Sequence, residues 1–196
     1  MSNTTKTPSI KSINPFNNEV VKEFELMSPE KVSSIIDKAD QAFKSWKNTS
    51  IEERATIMHK MASLMRDKKE DLGKLATLEM GKVLAQAIGE VKICAAIFDY
   101  YADNAAEFLA DKPLEVPHGE SFLSYEPIGV ILSVQPWNFP FYQMTRSAAA
   151  HITAGNAMVL KHSSNVPQCA PMMEDLFNEA GLPDGVYTNL FVAGKD

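Results

Sequence analysis

Three short apolar runs, residues 129–134, 157–160 and 187–192, alternate with helical segments at roughly 144–154 and 167–180, and no other feature constrains the fold of this chain as tightly. The runs are apolar throughout rather than at every second position, which predicts strands covered on both faces. Gly155-Asn156 and Gly181-Leu182-Pro183 are stop signals for the helices between them. Strand, helix, strand, helix, strand implies parallel strands with right-handed crossovers. The expected class is α/β: half of a doubly wound parallel sheet, a fold that takes ligands at the carboxyl ends of its strands.

Upstream the pattern is helical. The segment I-N-P-F-N-N-E-V-V, residues 13–21, reads as a turn between short strands. Ser28-Pro29-Glu30 then starts a helix, with a hydroxyl cap and a proline where no amide hydrogen is missed. Val32, Ile35, Ile36, Ala39, Ala42, Phe43 and Trp46 follow at helical spacing. Ser50 with Glu53 fits a capping box for a second helix, whose stripe is Ile51, Ala55, Met58, Met61, Ala62 and Met65. A further helix is expected over about 83–109, and the segment between Pro113 and Pro127 reads as short and extended.

At 196 residues the chain is long enough to bury a core, and its 45% hydrophobic and 22% charged residues are those of a globular protein. A net charge of −6 argues against nucleic acid or an anionic membrane as partner. The opening residues are polar, without the apolar centre of a secretory signal, and no apolar stretch approaches the ~20 residues that span a bilayer. Two cysteines, Cys94 and Cys169, make no disulfide framework, so a cytoplasmic location is the simplest expectation.

Candidate chemistry gathers at the strand ends. The first strand runs into Gln135-Pro136-Trp137-Asn138-Phe139-Pro140, a loop stiffened by two prolines. An amide held there could donate a hydrogen bond to a developing oxyanion. Equally, the aromatics could plug the core and Asn138 could cap a helix. The second strand ends in Leu160-Lys161-His162-Ser163-Ser164. A lysine and hydroxyls at that place suit phosphate or ribose, though a strand-end lysine is commonly just exposed. His162 could act as a base, or be a packing residue without a partner.

P-W-N-F-P at 136–140, A-G-N at 154–156, a strand ending in Lys161 and G-L-P-D-G-V at 181–186, in that order, resemble the NAD(P)-dependent aldehyde dehydrogenase superfamily. The likeness extends from about Ile13 to the last residue and is strongest to bacterial succinate-semialdehyde dehydrogenases. It implies an amino-terminal helical block, half of a Rossmann-like sheet, and a β oligomerisation arm. The divisions expected are 1–112 for the hairpin and helical block, 113–127 for the arm and 128–196 for the first βαβαβ half of the cofactor domain.

The resemblance also implies roles. Asn138 would donate its amide to the oxyanion of the thiohemiacetal. The backbone of Val134, Gln135, Pro136 and Trp137, with Asn138, would line NADP or NAD, and Lys161 would bond the adenosine ribose, beside His162, Ser163 and Ser164. Ser164 stands where many NAD-preferring members carry a glutamate, which leaves NADP acceptable. His162 stands where proline is usual. Arg146, eight residues past Asn138, would hold the distal carboxylate of the substrate. No metal is expected. The family's cysteine nucleophile and glutamate base lie carboxyl-terminal to anything in this chain, and the catalytic domain with them. Cys94 and Cys169 read as packing residues, and Glu174 and Glu179 as solvated charges. The intact enzyme is expected to be a homo-oligomer, dimer or tetramer, acting on a small aldehyde. The alternative is a truncated, non-catalytic binding or interaction module, or a remnant without independent role.

Overall fold

The computed structural model describes residues 8–194. The first seven residues, part of the polar opening segment, and Lys195 and Asp196 lie outside the described residues. The strands β1 (Ser9–Ile13) and β2 (Val20–Glu25) pair antiparallel across the expected turn. Four helices follow: α1 (Pro29–Trp46), α2 (Ile51–Asp67), α3 (Lys69–Met80) and α4 (Leu84–Phe108). The Ser28 side chain accepts the Lys31 amide to cap α1, and Ser50 and Glu53 form both halves of the capping box on α2. Helix α3 is absent from the sequence-based reading. Its inward face is Leu72, Gly73, Ala76 and Glu79, two small residues and a carboxylate beside one leucine, which leaves little apolar periodicity to detect.

Strands β3 (Lys112–Pro113) and β4 (Phe122–Leu123) form a short exposed antiparallel pair within the extended segment. Then come β5 (Val130–Gln135), α5 (Pro140–Thr153), β6 (Ala157–His162), α6 (Cys169–Ala180) and β7 (Tyr187–Asn189). The sheet order is β5-β6-β7, all parallel. Helix α5 begins at Pro140 rather than near Met144, and β7 is shorter than the apolar run that announces it.

Alternate residues of β6 face two cores, as a strand's period of two requires. Met158 and Leu160 pack into the large core shared by α2, α4, α5 and α6, whereas Ala157 and Val159 meet Ile35 and Ala39 of α1. The central strand is thus covered on both faces. Strand β5 departs from that expectation: Leu132 is 63% and Val134 65% exposed. The A-G-N segment ties α5 back to β5. Asn156 Oδ1 accepts the amides of Ile128 and Gly129, and its amide donates to the His151 carbonyl. Gly155, at φ 97°, sits where a Cβ would run into the Arg54 guanidinium. No helix among the described residues is long and apolar enough to cross a membrane.

Candidate functional site

Register sets the site. Val134 of β5 lies opposite Lys161 of β6, and Gln135 opposite His162. Val134 and Lys161 both line an open groove of about 760 Å³ between α1 and the sheet, walled also by Val32, Leu132, Leu190 and Val192. Among the described residues no lining residue is acidic, and Lys161 is the one cation. The Lys161 side chain makes no hydrogen bond or ion pair among the described residues. The groove can therefore take an apolar ring or sugar edge along its walls and an anionic or hydroxyl-bearing group at Lys161.

Beyond β5 the chain bends through Trp137, Asn138 and Phe139 before α5 begins. All three are exposed, and the N-cap residue of α5, Phe139, offers no side-chain hydrogen bond. Asn138 is thus no helix cap, the rings beside it are not core plugs, and its amide has no partner among the described residues. Each end of the loop is fastened by a buried group. His162 Nδ1 lies 3.2 Å from the Gln135 carbonyl, which requires the ring nitrogen to donate. Burial pushes the imidazole down to about 4, against the pull of the Gln135 and Pro140 carbonyls and helped by the Lys161 charge. At neutral pH His162 is an uncharged strut.

At the other end, Glu90 Oε1 of α4 accepts the amides of Phe141 at 2.8 Å and Tyr142 at 3.0 Å. Lys82 forms a buried ion pair with Glu90 Oε2 and places its ammonium 3.8 Å from the Phe139 ring centroid. A parallel arrangement serves α6: buried Glu79 of α3 accepts the amides of Gln168 and Cys169 and the Ser12 hydroxyl. Burial raises the Glu79 carboxyl, with these hydrogen bonds opposing. Sequence reasoning missed Lys82, Glu90 and Glu79. The available signal was the missing side-chain cap on both α5 and α6, which leaves amides to be satisfied from elsewhere.

Ser163 is partly buried, its hydroxyl 3.2 Å from the Asn165 side-chain oxygen, and Ser164 is exposed. Arg146 is exposed on α5 and has no acid or carbonyl partner among the described residues. Glu174 is not merely solvated. It is partly buried, it accepts the Asn189 amide at 3.0 Å, and burial raises its carboxyl. Glu179 is exposed and paired with Lys68. Cys94 and Cys169 are free and buried. Burial pushes the Cys94 thiol up to about 12, and burial next to Glu79 raises that of Cys169 well above the ordinary range. Neither is a poised nucleophile.

Comparison with known proteins gives this arrangement a family. A succinate-semialdehyde dehydrogenase [NADP(+)] of Deinococcus radiodurans is 43% identical over 185 residues, covering 94% of this chain and 39% of that protein. A probable succinate-semialdehyde dehydrogenase [NADP(+)] of Synechocystis is 41% identical over 187 residues, covering 95% and 41%. The crystal structure of succinic semialdehyde dehydrogenase from Streptococcus pyogenes in complex with NADP+ superposes with a TM-score of 0.91 at 40% identity, over 95% of this chain and 41% of that one. The chain thus spans about two fifths of the length of these relatives. The aldehyde dehydrogenase family model matches residues 2–196, and with the loop, strand-end lysine and parallel sheet in place, this chain belongs to the aldehyde dehydrogenase family.

Proposed function

We propose that this chain is part of an enzyme that oxidises an aldehyde, succinate semialdehyde, to the carboxylic acid with NADP or NAD. The observation that carries the proposal is the unpaired Asn138 amide on a clamped loop at the carboxyl end of β5. An amide fixed there meets a carbonyl oxygen as it gains charge after attack by a thiolate, and stabilises that charge without rearranging. The thiolate, and the carboxylate that activates water to release the acid, come from the part of the relatives' length that this chain does not span.

The residues present fit a dinucleotide. A lysine at the end of β6, unpaired and in a groove without acidic walls among the described residues, suits ribose hydroxyls or a phosphate. Lys161, Ser163 and Ser164 would hold the adenosine end, with the backbone of Val134, Gln135, Pro136 and Trp137 along the loop. His162 contributes through Gln135, which it fastens. The nicotinamide, when bound, would supply the oxidant, taking the hydrogen of the substrate carbon with its bonding electron pair. Arg146 would hold the distal carboxylate. Residues 113–127 would be the arm of a homo-oligomer, dimer or tetramer, which suits the exposed Leu114, Phe122, Leu123 and Tyr125. They would stand between the helical block of 1–112 and the sheet of 128–196, and the two free, buried thiols suit a reducing cytoplasm. One observation, the bare face of β5 with Leu132 and Val134, suits a non-catalytic interaction module as well as the remainder of an enzyme.

The test is Asn138→Ala in a full-length chain carrying these residues. Turnover should fall about 10²- to 10³-fold, the size of effect seen on losing one oxyanion donor. NADPH binding, followed by its fluorescence, should survive. Unchanged turnover would refute the role of Asn138.

A further inference from the structure

An oxyanion donor works only if it is held still, and a misplacement of about 1 Å can cost on the order of a hundredfold in rate. Among the described residues Asn138 has no side-chain hydrogen bond to hold it, and the rings beside it are half exposed. Its order must come from outside the loop. We propose that Glu90 and Lys82 are positioning residues for Asn138, acting through the first turn of α5 and the Phe139 ring; this rests on the reading of Asn138 as the oxyanion donor.

Helix α5 opens with Pro140 and no cap of its own, so the amides of Phe141 and Tyr142 are orphans in a buried place. One oxygen of Glu90 takes both, and its charge meets the positive end of the helix. A buried carboxylate needs a cation, and Lys82 supplies it, with the two side chains 8% and 2% exposed. The same ammonium sits over the Phe139 ring, the residue next to Asn138. One ion pair therefore grips the chain one residue after Asn138 by its ring and three and four residues after it by its backbone. His162 fixes the opposite side at Gln135, three residues before Asn138. Glu79 caps α6 in the same way without touching this loop, so it reports what capping alone contributes.

The experiment compares full-length variants by turnover, KM, NADPH affinity and melting temperature. The neutral pair Glu90→Gln with Lys82→Met leaves no buried charge unpaired. Its turnover should fall about ten- to a hundredfold, with aldehyde KM and NADPH affinity changed less than about threefold. Lys82→Arg alone, which keeps a cation beside Glu90, should retain most of the wild-type rate. In an Asn138→Ala background the same pair should cost nothing further, because nothing is left to position. Glu79→Gln should lower the melting temperature while leaving turnover within about twofold. Phe139→Leu, which removes the gripped ring and keeps both charges, should lose about three- to tenfold and keeps the test decisive if the double variant does not fold.

An unaltered rate in both the double variant and Phe139→Leu would overturn the proposal, as would an equal loss with and without Asn138. Should Asn138→Ala itself leave turnover unchanged, the oxyanion reading fails and this proposal with it. Loss at Asn138 without loss at Glu90 and Lys82 overturns the positioning role alone.

Discussion

Arg146 is the residue we propose to set the substrate preference. It stands on α5 eight residues after Asn138, exposed and without a partner among the described residues, so its guanidinium is free to take a bidentate carboxylate. Losing such a charge-assisted pair costs about 2–4 kcal/mol, or some tens- to several hundredfold. Arg146→Ala should raise KM for succinate semialdehyde by that order and barely change butyraldehyde; an equal loss on both would mean a structural arginine. Ser164 bears on the cofactor. It is exposed and uncharged, and the groove that holds Lys161 has no acidic wall among the described residues. Ser164→Glu should weaken NADP selectively, by repelling the 2′-phosphate, and leave NAD little changed. Wild type that shows no turnover with NADP would contradict the assignment. Asn138 and Lys161 could be proposed from the sequence because their motifs are local. Glu90 and Lys82 were not. Glu90 looks like any surface carboxylate until a helix start 51 residues later is folded onto it.

The elements are joined by buried polar contacts that apolar periodicity does not report. Ser28 and Ser50 cap helices by contacts three residues away, and the sequence announced both. Gly155 and Asn156 were readable as a helix stop, but not as the close approach to Arg54 and the tie to the start of β5. The link from β6 to the end of β5 is His162, and it makes a pH prediction. Its folded value is about 4 against an ordinary 6.5, so the neutral ring is the one that fits. Its contribution is fully present above about pH 6.5 and is lost as pH falls towards 4, amounting to about 3 kcal/mol at about 1.4 kcal/mol per tenfold change. Glu79 and Glu174, whose carboxyls are raised, have the opposite sign, since they favour the fold as they become protonated. The measurement is therefore a difference: urea unfolding of wild type and His162→Gln between pH 7 and pH 4. Wild type should lose about 3 kcal/mol more than the variant; parallel curves would mean that the ring takes up its proton without cost.

At the scale of the molecule, the class of fold was legible because strands and helices alternate cleanly over the last third of the chain. The exposure of β5 was not, because an apolar run looks the same whether or not its cover is present. Leu132 and Val134 carry the composition of a strand buried on both faces, and one face is open here. With relatives about two and a half times as long, that face is where the rest of the enzyme would dock. We propose that this chain brings an oxyanion donor and a cofactor groove, and that neither Cys94 nor Cys169 serves as nucleophile. Cys94, pushed up to about 12, holds only about one thiolate in 10⁵ at pH 7, and Cys169 is buried against Glu79. The most direct test is aldehyde-dependent NAD(P)H formation by the purified polypeptide, its mass verified as 21.7 kDa. The expected result is no turnover with succinate semialdehyde and either cofactor. Turnover by that polypeptide, abolished by Cys94→Ser or Cys169→Ser, would contradict the claim.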